Sequence, residues 1–240
     1  MVQKDGEMMV VRWLFMWMSF ALYAERADVQ VYFVPHDSAE IARTIEHYFT
    51  YVQRQILIAS YWITDQPFIE RLITLKQKGI DVHVIYDGSM FGHRALMKQL
   101  IEHNIIPVVS PYGTNHKMHN KCMVVDNRDV LTGSANFTSL SLRPAGERYN
   151  DENVVVMQSP LITQRYRENF FKIESVIFKT YIKMLANSPR KQIEEWVKEL
   201  VLELYRKNSR FKQLLLAAFA ACTHVQRERL KVCFPGLRRL

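Results

Sequence analysis

From Asp28 to Val109 short β-branched runs alternate with longer helical stretches, and no other feature limits the possible folds of this chain so strongly. Val29–Val34 reads as a strand, and Asp37 followed by Glu40 makes a capping-box start for a helix running to about Arg54. Ile56–Ile63 is a second apolar run, Pro67–Lys78 a helix with proline in its first turn, and Ile80–Tyr86 a third strand after Gly79. His93–His103 has helical spacing and Ile105–Val109 is a fourth strand. A helix between two strands returns the chain to the end where it started, so this alternation predicts βαβ units and a largely parallel sheet.

The second half changes rhythm. Lys121–Val125 and Val130–Gly133 are β runs joined by Asn127, Arg128 and Asp129, which predicts an antiparallel hairpin. Asn153–Met157 is another strand, and Pro160 opens a long helix reaching about Met184. The expected fold class is therefore α/β, a mixed, mostly parallel β-sheet flanked by helices, spanning residues 28–187.

Two appendages flank that body. In residues 1–27, Trp13 to Ala24 is apolar except for Ser19 and follows Lys4 and Arg12. It is shorter than the roughly 20 residues a spanning helix needs and closer to a secretory apolar region. Asp5, Glu7 and Leu22 depart from the signal-peptide pattern, so export signal, N-terminal anchor and buried first helix all stay open. The first two imply an exported or periplasmic protein, or a membrane-anchored one. Residues 188–240 form a helical extension in which Ile193, Trp196, Val197, Leu200, Val201 and Leu204 share one face. A second, more apolar helix lies around Phe211–Cys222.

The net charge of +8 divides unevenly between these parts. Residues 1–189 hold 20 Lys and Arg against 19 Asp and Glu, whereas residues 190–240 hold 12 against 5. The body is close to neutral, and the excess sits on the extension, either as the solvated side of a packing face or as an arm that docks on anionic lipid or nucleic acid. With 48% apolar residues the chain is no disordered polyelectrolyte. Cys122, Cys222 and Cys233 are too scattered for a disulfide framework or a zinc ribbon.

The chemistry concentrates in His119 to Asp126 and in Gly133 to Asn136. Alternation along a strand puts His119 and Lys121 on one face and Asn120 and Cys122 on the other, and places Ser134 beside Asn136. An imidazole, an ammonium, a hydroxyl and a carboxamide brought together are what is required to break a phosphodiester without a metal or an organic cofactor. Lys121 and Asn136 hold the non-bridging oxygens, and unprotonated His119 attacks phosphorus to give a phosphohistidine. A carboxylate must orient the imidazole, and Glu152, at the mouth of the next strand, is placed for it.

His119-x-Lys121-x4-Asp126-x6-Gly133-Ser134-x-Asn136 resembles the signature of the phospholipase D superfamily, and Asn150–Asn153 resembles the segment that follows it there. The resemblance covers roughly residues 29–184. It implies two facing motifs, one His as nucleophile and the other protonating the leaving oxygen, yet this chain carries the pattern once. It is thus similar to the small single-motif members, bacterial endonucleases and the mitochondrial cardiolipin hydrolase type, which build one site from a symmetric homodimer. The implied substrate is nucleic acid first and membrane phospholipid second, with a silent phosphate-binding scaffold as a third alternative. The mitochondrial type's inserted zinc finger has no counterpart among three dispersed cysteines.

Several neighbours carry weaker signals. Asp126 is out of phase with His119 and Lys121, so it is expected to brace the hairpin through the backbone of Asn127–Asp129 or an arginine. His116 is expected to line the cleft near the phosphate rather than to bind metal. Cys122 is expected in the core. Tyr61, Trp62 and Asp65 either rim the substrate groove and stack on bases or are ordinary loop and core residues, and Asp87-Gly88-Ser89 follows a strand at the ligand-facing end of the sheet.

Overall fold

The computed structural model of the chain describes residues 27–89, 92–111, 117–143 and 148–239. The apolar N-terminal stretch and His116 lie outside these residues. Among the described residues no helix is long and apolar enough to cross a membrane.

Seven strands among the described residues form one sheet: β1 (Asp28–Val34), β2 (Gln55–Ser60), β3 (Asp81–Asp87), β4 (Val108–Ser110), β5 (Lys121–Val125), β6 (Asp129–Gly133) and β7 (Glu152–Gln158). Their spatial order is β1-β7-β6-β5-β2-β3-β4. The β2/β3 and β3/β4 pairs are parallel, whereas β1/β7, β7/β6, β6/β5 and β5/β2 are antiparallel. The sheet is mixed, as expected, but mostly antiparallel rather than mostly parallel. The alternation did give the right direction, because four antiparallel steps separate β1 from β2 and the two therefore point the same way. What a strand-helix-strand pattern does not reveal is that β5, β6 and β7 insert between the strands it joins.

Helices cover both faces. α1 (Ser38–Tyr51) and α2 (Gln66–Gln77) pack together, and Tyr32 of β1 meets Thr44 of α1 on that side. His83 of β3 points to the opposite face, where its ring lies edge-on to Phe170 and Phe171 of the long helix α5 (Pro160–Asn187). Between α2 and α5 in the chain come α3 (His93–Glu102) and a single turn, α4 (Ser139–Leu142), which the sequence did not reveal. α1 lacks the expected capping box. The Asp37 carboxylate instead accepts from the backbone N–H of Phe33 at 2.8 Å, tying the helix start back to β1.

The C-terminal extension forms α6 (Glu195–Lys207), α7 (Ser209–Ala221) and α8 (His224–Cys233); α7 and α8 fold back against α5, and α6 packs against α7. Trp196, Leu200, Leu204, Phe211, Leu215, Leu230 and Phe234 are buried together with Phe178 and Tyr181 of α5. The amphipathic stripe is thus a packing face. Part of the basic charge is used internally: Arg210 Nε lies 2.8 Å from the buried Glu174, and Arg229 donates to the carbonyl of Asn187 at the open C-terminus of α5 at 2.7 Å.

Candidate active site

The ends of five strands meet at one edge of the sheet, and every described candidate residue except Asp126 lies there. Lys121 opens β5, in register with Ser60 at the end of β2, and the pairing continues as Tyr61 N–H donates to the carbonyl of Asn120 at 2.9 Å. Lys121 is nearly buried while His119, two residues earlier, is exposed. The Lys121 Nζ donates to the His119 carbonyl at 2.9 Å and lies 3.0 Å from His119 Nδ1. Attack on phosphorus needs an imidazole nitrogen with a free lone pair, and the Lys121 ammonium beside the ring is placed to meet the negative charge that such an attack develops. Burial pulls the Lys121 ammonium below its ordinary value, and the charge of Glu152 opposes that shift.

Asn136 sits on the other side of the β2 end. Its Oδ1 accepts from the backbone N–H of Trp62 at 3.3 Å, which fixes the carboxamide and leaves its NH2 as a donor for an incoming oxygen. Ser134 follows Gly133, the last residue of β6, and like Asn136 is less buried than Ala135 between them. Its hydroxyl accepts from Asn153 N–H at 2.9 Å while its own N–H donates to Asn153 Oδ1 at 3.0 Å, a reciprocal clamp that fixes the start of β7. Gly133 makes this approach possible. Its φ is +154°, and a Cβ there would stand 2.0 Å from the carbonyl oxygen of Asn153.

Glu152, held in place by that clamp, accepts from Ser141 Oγ at 3.2 Å and Asn150 Nδ2 at 3.3 Å. Within one chain its carboxylate acts on Lys121 through its charge, and the expected bond to His119 is not among its contacts. Cys122 is buried on the opposite strand face, and burial pushes its thiol up to about 12, consistent with a core residue.

Asp126 lies at the far end of β5. Its carboxylate accepts three backbone N–H groups that begin β2, from Gln53 and Arg54 at 2.8 Å and Gln55 at 2.9 Å. It faces away from the edge that holds His119 and Lys121, as its phase required, but the brace runs to β2 rather than along the hairpin. Asp65 does not rim the groove either. It is buried as the N-cap of α2, accepting from Phe68 N–H at 3.1 Å and pairing with Arg143.

Two positioning groups were weak or absent signals in the sequence. The buried Asp87 accepts from Met118 N–H at 2.9 Å and from Ser89, so it pins the backbone immediately before His119. The Tyr61 ring lies 4.7 Å from the His119 ring, tilted by 48°. Asp87 had only its place after a strand to recommend it, and Tyr61 only its type.

The model of the PLD-like domain of cardiolipin synthases matches residues 45–173, more than half of the chain. The chain belongs to the phospholipase D superfamily. Among curated relatives, a phospholipase D of Rickettsia conorii is 24% identical over 152 residues, covering 60% of this chain and 68% of that protein. A mitochondrial cardiolipin hydrolase of Chlamydomonas reinhardtii is 25% identical over 138 residues, covering 58% and 59%. Among solved structures, the phospholipase D family member Nuc of Salmonella typhimurium superposes with a TM-score of 0.52 at 26% identity, covering 61% of this chain and 93% of that one. The family model ends at residue 173, so the last turns of α5 and the whole of α6 to α8 lie beyond it. Membership in this superfamily supports phosphodiesterase chemistry in general, and the placement of His119, Lys121 and Asn136 at one edge of the sheet is compatible with it.

Proposed function

We propose that this protein is a metal-independent phosphodiesterase that works through a covalent phosphohistidine in a homodimeric site, with nucleic acid as its substrate. The observation that carries the proposal is the convergence of His119, Lys121 and Asn136 on one edge of the sheet, with Lys121 Nζ 3.0 Å from His119 Nδ1, so that an imidazole stands next to a positive charge and a carboxamide donor. A His119 nitrogen forms a bond to phosphorus and the bond to the leaving oxygen breaks, while Lys121 and Asn136 stabilise charge on the non-bridging oxygens. The leaving oxygen takes its proton from a second His119 across a two-fold axis, which one chain alone does not supply. Water then attacks the phosphorus, gives its proton to that second imidazole, and frees a phosphomonoester and the resting His119.

Nucleic acid is favoured by the single motif, the pattern in which the chain resembles the small bacterial endonucleases of the superfamily. Phospholipid is the second reading, favoured by the names of the curated relatives and by the apolar stretch from Trp13 to Ala24. That stretch also leads us to place the protein outside the cytoplasm or on a membrane, with the basic extension as a second contact to an anionic surface.

The test is hydrolysis of an aryl phosphodiester with and without EDTA, followed by single-stranded DNA, RNA and phospholipid vesicles. Activity should resist chelator, co-elute with a dimer, and fall by at least about 10⁴-fold in His119→Ala. Survival of activity in His119→Ala, or its loss with EDTA, would overturn the mechanism. Hydrolysis of vesicles with nucleic acids left intact would overturn the substrate.

A further inference from the structure

Resting on the nuclease reading, we infer that Tyr61 and Trp62 form a stacking step that holds an unpaired nucleobase next to the scissile phosphate. The two rings lie 14° from parallel with centroids 5.5 Å apart, and Tyr61 in turn contacts the His119 ring. Trp62 remains 40% exposed although it stands at the catalytic edge. A large ring left open beside a nucleophile is available to whatever group hangs on the phosphate.

The step is rigid. The Trp62 carbonyl accepts from Ser60 Oγ at 2.8 Å and from Phe137 N–H at 3.2 Å, and its N–H donates to Asn136. The Tyr61 N–H donates to Asn120, and its carbonyl accepts from Asp87 N–H at 3.4 Å. The backbone that carries the rings is thus tied to Asn136 and to the segment bearing His119, so a base stacked here and a phosphate bound there are held in one fixed relation.

Charge selects the ligand class. Lys117 Nζ lies 5.9 Å and Lys121 Nζ 5.6 Å from the centre of the Tyr61 ring. An aromatic surface alone attracts quaternary ammonium groups such as choline. Two ammonium groups already over Tyr61 repel such a headgroup and attract a polyanionic strand. Glycerol offers no flat surface to stack, whereas every nucleobase does. Bases inside a duplex are already stacked, so the step favours single strands or frayed ends.

The experiment compares a short single-stranded oligonucleotide with the same oligomer made abasic around one cleavage site. Wild-type protein, Trp62→Ala and Trp62→Phe are tested on both. We expect wild type to cleave the base-bearing strand with a KM lower by about tenfold, which corresponds to about 1.4 kcal/mol. Trp62→Ala should bring the ratio of the two KM values close to one, and Trp62→Phe should keep most of it. Binding to strands in the His119→Ala background should show the same loss of preference. An unchanged preference in Trp62→Ala, or no preference in wild type, overturns the stacking step while leaving the nuclease reading intact. A wild-type protein that hydrolyses vesicles and neither oligomer overturns both.

Discussion

Replacing Asp126 separates a residue that belongs to the sequence motif from one that belongs to the chemistry. Its carboxylate collects the N–H groups of Gln53, Arg54 and Gln55, and its own backbone is left-handed with φ of +50°. Hydrogen bonds to a charged acceptor are worth about 1.5–3 kcal/mol each when protected from water. Gln53 and Arg54 are exposed and Gln55 only partly buried, so water recovers much of the first two and less of the third. Alanine also loses the tolerance of Asp for the left-handed region, about 1 kcal/mol more. Asp126→Ala should therefore cost about 3–4 kcal/mol, a fall in Tm of roughly 6–16 °C for a chain of this size. Asp126→Asn keeps the backbone tolerance and one acceptor, and should cost about 1–2 kcal/mol. Five residues at about 3.4 Å each put Asp126 about 17 Å from Lys121 along β5. Assayed well below its Tm, the Asn variant should then retain turnover within about tenfold of wild type, since it touches no reacting atom. The assay is thermal unfolding beside steady-state kinetics on an aryl phosphodiester. An Asn variant with unchanged Tm and no turnover would put this carboxylate at the phosphate and refute the reasoning.

Three further perturbations have defined outcomes. Gly133→Ala drives a methyl into the Asn153 carbonyl, so urea unfolding should show a loss of more than about 2 kcal/mol, with kcat falling because Glu152 and the Ser134 clamp shift; wild-type values for both would show that β7 adapts freely. Lys121 must be charged to hold the phosphate and burial lowers its pKa, so the alkaline limb of kcat/KM should fall below pH 10.5, and Lys121→Arg should move that limb upward; a limb that stays put would mean another group titrates. Glu174 is buried with its pKa raised above 4.5 by desolvation despite Arg210, so the unfolded chain ionises first as pH rises. Stability should decline from pH 4.5 up to the folded pKa and level off beyond it, and Glu174→Gln should remove that slope; parallel stability curves for the two proteins would refute the assignment.

Local features of the fold were legible, and its connectivity was not. Strand and helix positions follow from periods of two and of 3.6 residues that persist whatever the neighbours are, which is why β5, the long α5 and the stripe of α6 appear where spacing put them. Which strands are neighbours depends on contacts between distant segments. β1 finds β7 rather than β2 through a seven-residue register from Asp28 opposite Gln158 to Val34 opposite Glu152, and no local pattern announces it. Asp37 shows the same limit at smaller scale: a capping signature was present, but the Phe33 N–H offered a competing partner.

The same connectivity explains why a short motif is enough to assemble this site. In the parallel part, β2 and β3 deliver their C-terminal ends, with Ser60 and Asp87, to one edge of the sheet. An antiparallel run brings chain starts and chain ends alternately to the same edge, so the beginning of β5, the end of β6 and the beginning of β7 arrive there as well. Lys121, Gly133 and Glu152 are spread over 32 positions of sequence, yet each stands at the terminus its strand direction sends to that edge. Spacing within the motif therefore encodes strand length: His119 to Asp126 spans β5, and Asp126 to Gly133 spans the turn and β6. On this account Asp126 sets where β5 ends against β2, and an inserted residue anywhere between Lys121 and Asp126 would reverse the face of the strand's first half and carry Lys121 and His119 together away from Asn136 and Glu152.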